Sequence, residues 1–186
     1  ILGFVLSIIS IPIVLQFIQP YQRNRIVSFL NPESDPLGQG YQLIQSKIAL
    51  GSGGATGKGF LQGTQSYLEY LPEKQTDFIF TLIGEEFGFL GTIFIILLFI
   101  LLISVCYFIS IKSFHIFGKM IALGVASNLF IYVFMNIAMV SGLMPVVGIP
   151  LPLISYGGSV MLSIMVSIGL VLNVELNYNI KKIENA

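Results

Sequence analysis

Carboxylates are scarce in this sequence, and one of them stands where a polar stretch meets a long apolar run: Pro72-Glu73-Lys74-Gln75-Thr76-Asp77, then Phe78-Ile79-Phe80. An ionised carboxylate at the mouth of a membrane helix costs free energy unless water, a partner or a substrate faces it, so Asp77 marks a candidate functional site. Such a group can serve as a general base. It can equally act, with Thr76, as the cap of the following helix, where the helix dipole favours negative charge. Glu85 and Glu86 lie further along the same run. At 100° per residue, Glu85 falls about 80° around a helix from Asp77 and Glu86 about 180°, with a rise of roughly 12 Å. That spacing is poor for a paired-carboxylate hydrolase site. Structural roles are expected for both, bonded to the loop or to another helix.

The stretch Gly51-Ser52-Gly53-Gly54-Ala55-Thr56-Gly57-Lys58-Gly59 invites comparison with a phosphate-binding loop. It departs from that motif because Ser52 stands at the first glycine and Gly59 at the magnesium-holding Ser or Thr. Two readings remain open. The glycines and Lys58 can gather N–H groups and a cation around an anion, or the stretch is a surface turn. Lone His115 and the scattered carboxylates form no cluster with metal-ligand spacing. Asn128 and Asn136 fall within an apolar run, where interhelical hydrogen bonding is the expected role.

Composition defines the elements that must position these groups. Of 186 residues 55% are hydrophobic and 10% charged, and the mean hydropathy is +0.89. That is too apolar for one soluble core and predicts an all-α integral membrane protein. The formal net charge of zero offers no basic footprint for nucleic acid. Cys106 is the single cysteine, which excludes an intrachain disulfide.

Four apolar runs approach the roughly 20 residues that span a bilayer core. They are residues 1–18, 78–111, 118–140 and 158–174. The first begins without an initiator Met or a charged n-region, so the chain reads as a part of something longer. Residues 141–157 are apolar but broken by Pro145, Pro150, Pro152 and several glycines, which predicts a re-entrant or surface-hugging loop. Lys112 and Lys119 bracket the second-to-third connection, and Lys181 and Lys182 follow the fourth run in a tail at 175–186. The positive-inside rule makes that side cytoplasmic. Residues 19–77 then form a long extracytoplasmic loop, in which Gln42 to Leu50 is expected to make a short amphipathic helix.

The block from Arg25 to Gly88 strongly resembles the SEDS family of shape, elongation, division and sporulation proteins. The resemblance is carried by Asn31-Pro32-Glu33-Ser34-Asp35-Pro36-Leu37-Gly38, Gly40-Tyr41-Gln42, Gln45-Ser46 and the glycine stretch through Phe60. Gly63-Thr64-Gln65-Ser66, Leu71-Pro72-Glu73, Thr76-Asp77-Phe78-Ile79-Phe80 and Gly84-Glu85-Glu86-Phe87-Gly88 continue it. So do the run from Pro145 to Pro152 and Ser155-Tyr156-Gly157-Gly158-Ser159. These motifs look more like the rod-shape branch than the division branch. The family fold has about ten membrane helices, of roughly 20 residues each, and this chain resembles the last four.

The resemblance implies a polytopic glycosyltransferase of the bacterial inner membrane that polymerises lipid II into peptidoglycan at the extracytoplasmic face. Asp77 matches the catalytic aspartate and would be the base. Arg25 is the preferred pyrophosphate or substrate ligand, since a guanidinium grips phosphate bidentately, whereas Arg23 reads as snorkelling to lipid headgroups. Lys58 is the second basic candidate, and Gln45 and Ser46 are polar substrate contacts unless they serve helix-surface hydrogen bonds. Family enzymes use a divalent cation such as magnesium or manganese in some cases, and no ligand set is readable here. The implied partners are lipid II, membrane lipids and a class B penicillin-binding protein. A lipid II flippase and a non-catalytic scaffold for that protein are the alternatives. A flippase needs polar groups along a path through the spans, whereas the observed ones gather at one face.

Overall fold

The computed structural model describes residues 19–35, 38–64 and 75–184; for Ser34 and residues 179–184 it describes the backbone alone. The first apolar run, 1–18, lies outside the described residues, as do Gln65 to Lys74. What is described is helical: α1 (Pro20–Leu30), a 3-10 turn (Pro32–Ser34), α2 (Gln39–Ser52), α3 (Ile79–Lys112), α4 (Ile116–Val140) and α5 (Gly158–Glu184). Three of these, α3, α4 and α5 through Tyr178, are long and apolar enough to cross a membrane. The architecture is thus an all-α membrane bundle. The region 19–77 is not simply a loop, because α1 and α2 lie within it. α5 runs ten residues beyond the hydropathy-defined end at Val174. Asn173, Glu175 and Asn177 end the apolar run without ending the helix, since such residues are disfavoured in lipid but tolerated in helical backbone.

α3 and α4 are joined by three residues, Ser113 to His115, and therefore run antiparallel. A stripe of small residues, Gly118, Ala122 and Ala126, is buried on α4. Small residues at four-residue spacing let helix backbones approach closely where lipid supplies little hydrophobic drive. Around them Cys106, Ile109, Leu129, Ile164 and Val171 form one apolar cluster that joins α3, α4 and α5. A second cluster gathers Leu43 of α2, Phe78, Phe80 and Phe99, Val133, Met139 and Val140 of α4, and Val146 and Leu151 of the proline-rich segment. The segment 141–157 is therefore anchored in the bundle through part of its length, while Leu143, Val147 and Tyr156 remain exposed. Leu151 and Pro152 are fully buried, and it forms the floor on which the opposite end of the bundle from His115 is built.

The apolar run from Phe78 folds as helix from Ile79 to Lys112, but not as one unbroken helix. At Gly88 the backbone turns to φ 67° and ψ −161°. This break opens the two helical bonds in which the N–H groups of Phe89 and Leu90 would reach the carbonyls of Glu85 and Glu86. The glycine stretch is spliced into that gap. Phe89 N–H donates to the Gly54 carbonyl (2.9 Å) and Leu90 N–H to that of Ala55 (3.1 Å), while Lys58 and Gly59 N–H donate to the Glu85 and Glu86 carbonyls (each 3.0 Å). Four peptide groups that would be costly to leave bare near lipid are thereby paired. The N–H groups of Lys58 and Gly59 are spent on α3 and do not gather around an anion. Beyond the break, Phe89 to Lys112 is roughly 36 Å of helix, enough to cross the hydrocarbon core.

Two glycines make the splice possible. Gly57 (φ 81°) has no room for a Cβ beside the Glu86 carbonyl, and one on Gly88 would strike Gly57 N. Gly88→Ala is expected to lower stability in detergent by at least about 1–3 kcal/mol, the cost of a strained backbone position. Gly124→Ala, on an α4 glycine whose Cβ would meet nothing, should be neutral or stabilising by up to about 1 kcal/mol. Unfolding midpoints of the two variants beside the parent check both.

Candidate active site

The turn that carries Asp77 is held by its backbone. Three successive carbonyls each accept a hydrogen bond from a different part of the fold. The Gln75 carbonyl accepts from Tyr156 N–H at 2.9 Å, the Thr76 carbonyl from Ser155 Oγ at 2.6 Å, and the Asp77 carbonyl from Asn136 Nδ2 at 2.8 Å. Ser155 Oγ in turn accepts from Leu151 N–H at 2.7 Å. The N-cap of α3 is Phe78, whose side chain makes no capping bond and is almost wholly buried. Asp77 stands one residue outside that cap, with the Phe78 ring anchoring the turn in the apolar cluster below.

Above the turn is a cavity of about 540 Å³ lined by Arg25, Gly38, Gln39, Gln42, Thr76, Asp77, Val146, Gly148, Pro150 and Tyr156. Its walls come from α1, α2, the turn before α3 and the proline-rich segment. α1 is fixed to the start of α2 through Asp35, whose Oδ2 accepts from Ser28 Oγ at 3.2 Å and whose carbonyl accepts from Tyr41 N–H at 3.2 Å. Arg25 spans to the far wall, where Nη1 donates to the Val147 carbonyl at 2.9 Å. Next to that carbonyl, Gly148 has φ 77°, and a Cβ there would lie 3.0 Å from Asp77 Oδ2. The carboxylate thus rests against a backbone without a side chain. Arginine and aspartate, 52 positions apart in the sequence, face one cleft, and the chemistry it offers is proton acceptance beside a cation that can bind an anion.

Of the other residues singled out from sequence, Ser46 and Lys58 are placed elsewhere. Ser46 is fully buried. Its hydroxyl lies 2.8 Å from Thr81 Oγ1 and donates to the Val140 carbonyl at 2.8 Å, so it ties α2 to α3 and α4. Lys58 Nζ pairs with Glu85 Oε1 at 2.8 Å, with the Glu85 side chain 1% exposed, and Nζ also donates to Thr64 Oγ1 at 2.8 Å. Gln45 is half-buried on α2 and does not line the cleft. Glu85 bonds to the glycine loop, and Glu86 is also buried. Among the described residues no three His, Cys, Asp or Glu side chains converge as a metal site.

Sequence reasoning missed Gln39, Gln42, Tyr156 and Gly148 as cleft residues, and Asn136 and Ser155 as supports of the turn. Tyr156 and Ser155 lie in a quoted motif, and Gln42 lies one turn before Ser46 on α2. Which turn of α2 faces the cleft depends on how deeply the helix packs, and that is a tertiary fact.

A multi-pass helical bundle with a polar, carboxylate-bearing cleft at one end defines the class. The family follows from comparison: the model of the FtsW/RodA/SpoVE cell cycle proteins matches residues 1–180, and the chain belongs to this SEDS family. It is 53% identical over 165 residues to peptidoglycan glycosyltransferase MrdB of Escherichia coli (strain K12), covering 88% of this chain and 45% of that protein. It is 42% identical over 160 residues to peptidoglycan glycosyltransferase RodA of Treponema pallidum (strain Nichols), covering 86% and 37% respectively. A solved chain from work on the structural coordination of polymerization and crosslinking by a peptidoglycan synthase complex superposes with a TM-score of 0.72 at 34% identity, covering 94% of this chain and 47% of the other. The chain spans about half the length of the curated relatives it matches or less.

The Lys58–Glu85 pair makes a testable case of buried charge. Lys58→Met leaves the Glu85 carboxylate without its cation and is expected to cost about 3 kcal/mol, whereas the double variant with Glu85→Met should recover much of that loss. Chemical denaturation of the two variants in detergent reads the difference.

Proposed function

We propose that this chain forms the catalytic end of a peptidoglycan glycosyltransferase, polymerising lipid II into glycan strands during cell elongation. The observation that carries this reading is the Asp77 carboxylate lining the same cleft as Arg25. The names of the relatives, peptidoglycan glycosyltransferases MrdB and RodA, agree with it.

In this mechanism a hydroxyl of the acceptor sugar approaches Asp77, which takes its proton as the oxygen attacks the anomeric carbon of the donor. The bond between that carbon and the pyrophosphate breaks, and undecaprenyl pyrophosphate leaves with the electron pair. Arg25 faces the developing charge, where a guanidinium fork binds phosphate oxygens in pairs. The proton on Asp77 passes to water, which restores the base. Tethering the Asp77 turn through the carbonyls of Gln75, Thr76 and Asp77 suits this role, because a base must be held in place. A divalent cation fits the cleft only as an ion held largely by pyrophosphate oxygens, since Asp77 is the one carboxylate lining it among the described residues. It would supply further neutralisation of the leaving group.

The cleft lies at the end of the bundle opposite Lys112 and Lys119, and the positive-inside rule puts those lysines in the cytoplasm. The active side is then extracytoplasmic, on the bacterial inner membrane. A flippase would need a wide polar path through the spans. The groove lined by Asn128, Tyr132, Ser159, Ser163 and Ser167 between α4 and α5 has a volume of about 140 Å³, small for a disaccharide-peptide headgroup. A class B penicillin-binding protein is the expected partner, in keeping with the peptidoglycan synthase complex of the structural neighbour.

The test is lipid II polymerisation by a protein of the relatives' full length containing this chain, in liposomes. Asp77→Asn and Asp77→Ala are expected to lower the rate about 10²–10⁴-fold, the range for loss of a general base. Arg25→Lys, which keeps charge but not the fork, should fall between the parent and Arg25→Ala. Polymerisation at the parent rate by Asp77→Asn would refute the assignment.

A further inference from the structure

Asn136 lies near the C-terminal end of α4, inside an apolar helix, with no exposed surface. Interhelical hydrogen bonding is the ordinary role for such a residue, but its amide does not bond to another helix. Nδ2 donates at 2.8 Å to the Asp77 carbonyl and at 2.7 Å to the Ile149 carbonyl. The amide nitrogen has two hydrogens, and each is given to a different non-helical segment. One segment carries Asp77, and the other is the cleft wall against which the carboxylate rests, where Gly148 adjoins Ile149. Asn136 therefore fixes the spacing between Asp77 and its wall from beneath.

The oxygen of the same side chain takes no part in this bridge. Asn136 Oδ1 is buried and has no hydrogen-bond partner among the described residues. No hydroxyl or lysine at this position could offer two donors from one planar group at this depth.

We propose that Asn136 is a positioning residue for the base: it holds the Asp77 turn and the 148–150 wall in register, and its loss slows chemistry without weakening substrate binding. The inference rests on the reading of Asp77 as general base. Displacement of a catalytic group by about 1 Å can cost up to roughly 10²-fold in rate. Asn136→Leu keeps the branched shape and the number of heavy atoms and removes both donors, while Asn136→Ser leaves a single donor for two carbonyls. Leu129→Ala is the control, since Leu129 is buried in the cluster shared by α3, α4 and α5, away from the cleft.

The experiment measures kcat and KM for lipid II in the full-length protein, per folded molecule, with unfolding midpoints for each variant. Asn136→Leu is expected to lower kcat about 10–100-fold, with KM within about twofold of the parent and Asn136→Ser intermediate. Leu129→Ala should lose stability, about 2–5 kcal/mol for a buried leucine truncation, at an unchanged kcat. Parent-like kcat in Asn136→Leu, or in Asn136→Ser should the leucine variant not fold, overturns the proposal. So does a kcat loss in Leu129→Ala as large as that in the Asn136 variants, which would make the effect one of stability. Asp77→Asn, run alongside, separates the two readings. If it is inactive while Asn136→Leu is fully active, the positioning role alone fails; if it is active, the base assignment fails and the positioning role falls with it.

Discussion

A peptide group that leaves the helical ladder in or beside a bilayer must find another partner, because lipid offers none. The described structure departs from helix before α3 and again within it, and at both places hydrogen bonds from other segments take up the backbone groups. Before α3, the carbonyls of Gln75, Thr76 and Asp77 are taken up by Tyr156, Ser155 and Asn136. At Gly88, the two opened bonds of the helix are refilled by the loop from Gly54 to Gly59. The short piece of α3 between these points is thus held at both ends. Ser46 with Thr81 and Lys58 with Glu85 add side-chain ties along it.

The two apolar clusters divide the work. In the lower one, small residues on α4 bring three helices together, and packing rather than hydrophobic transfer supplies the attraction. The upper one carries the polar end: Phe78, Leu43, Val146 and Leu151 come from three separate segments and meet directly below the cleft. Its polar groups sit on a floor of close-packed side chains, and such floors deform little. Among the described residues that line the cleft, one carboxylate and one arginine are brought against the same wall. Arg25 is tied to the wall by the Val147 carbonyl, and Asp77 is tied to the same wall through Asn136.

Much of this was legible in the chain. The helices of the bundle, the absence of helix across Pro145, Pro150 and Pro152, and the placement of Asp77 at a membrane boundary all follow from local composition. The cleft partner Arg25 was legible only through a motif resemblance. The composition of the glycine stretch suits an anion cradle, a surface turn or a splice into a broken helix; it is an exposed turn whose Lys58 and Gly59 N–H groups enter the splice rather than a cradle. Glycine frequency reports that backbones come close, and it is silent on which ones. Gly88 likewise sits in a run long enough to read as one helix, and a scale that counts side chains does not see the backbone break.

What the sequence determined by itself is the solvent, the helical class and the one carboxylate at the boundary, because hydropathy and proline chemistry act within a few residues of chain. What only the tertiary structure decided is which groups are held by distant partners and which of them line the cleft. Lys58 and Ser46 have the same types as binding residues, yet hydrogen bonds to Glu85, Thr81 and Val140 occupy them. Asn136 reads as helix-packing material until two carbonyls, 59 and 13 positions away, arrive at its amide. The physical reason is that hydrogen-bond satisfaction is a property of the whole buried neighbourhood, and distant segments supply the partners.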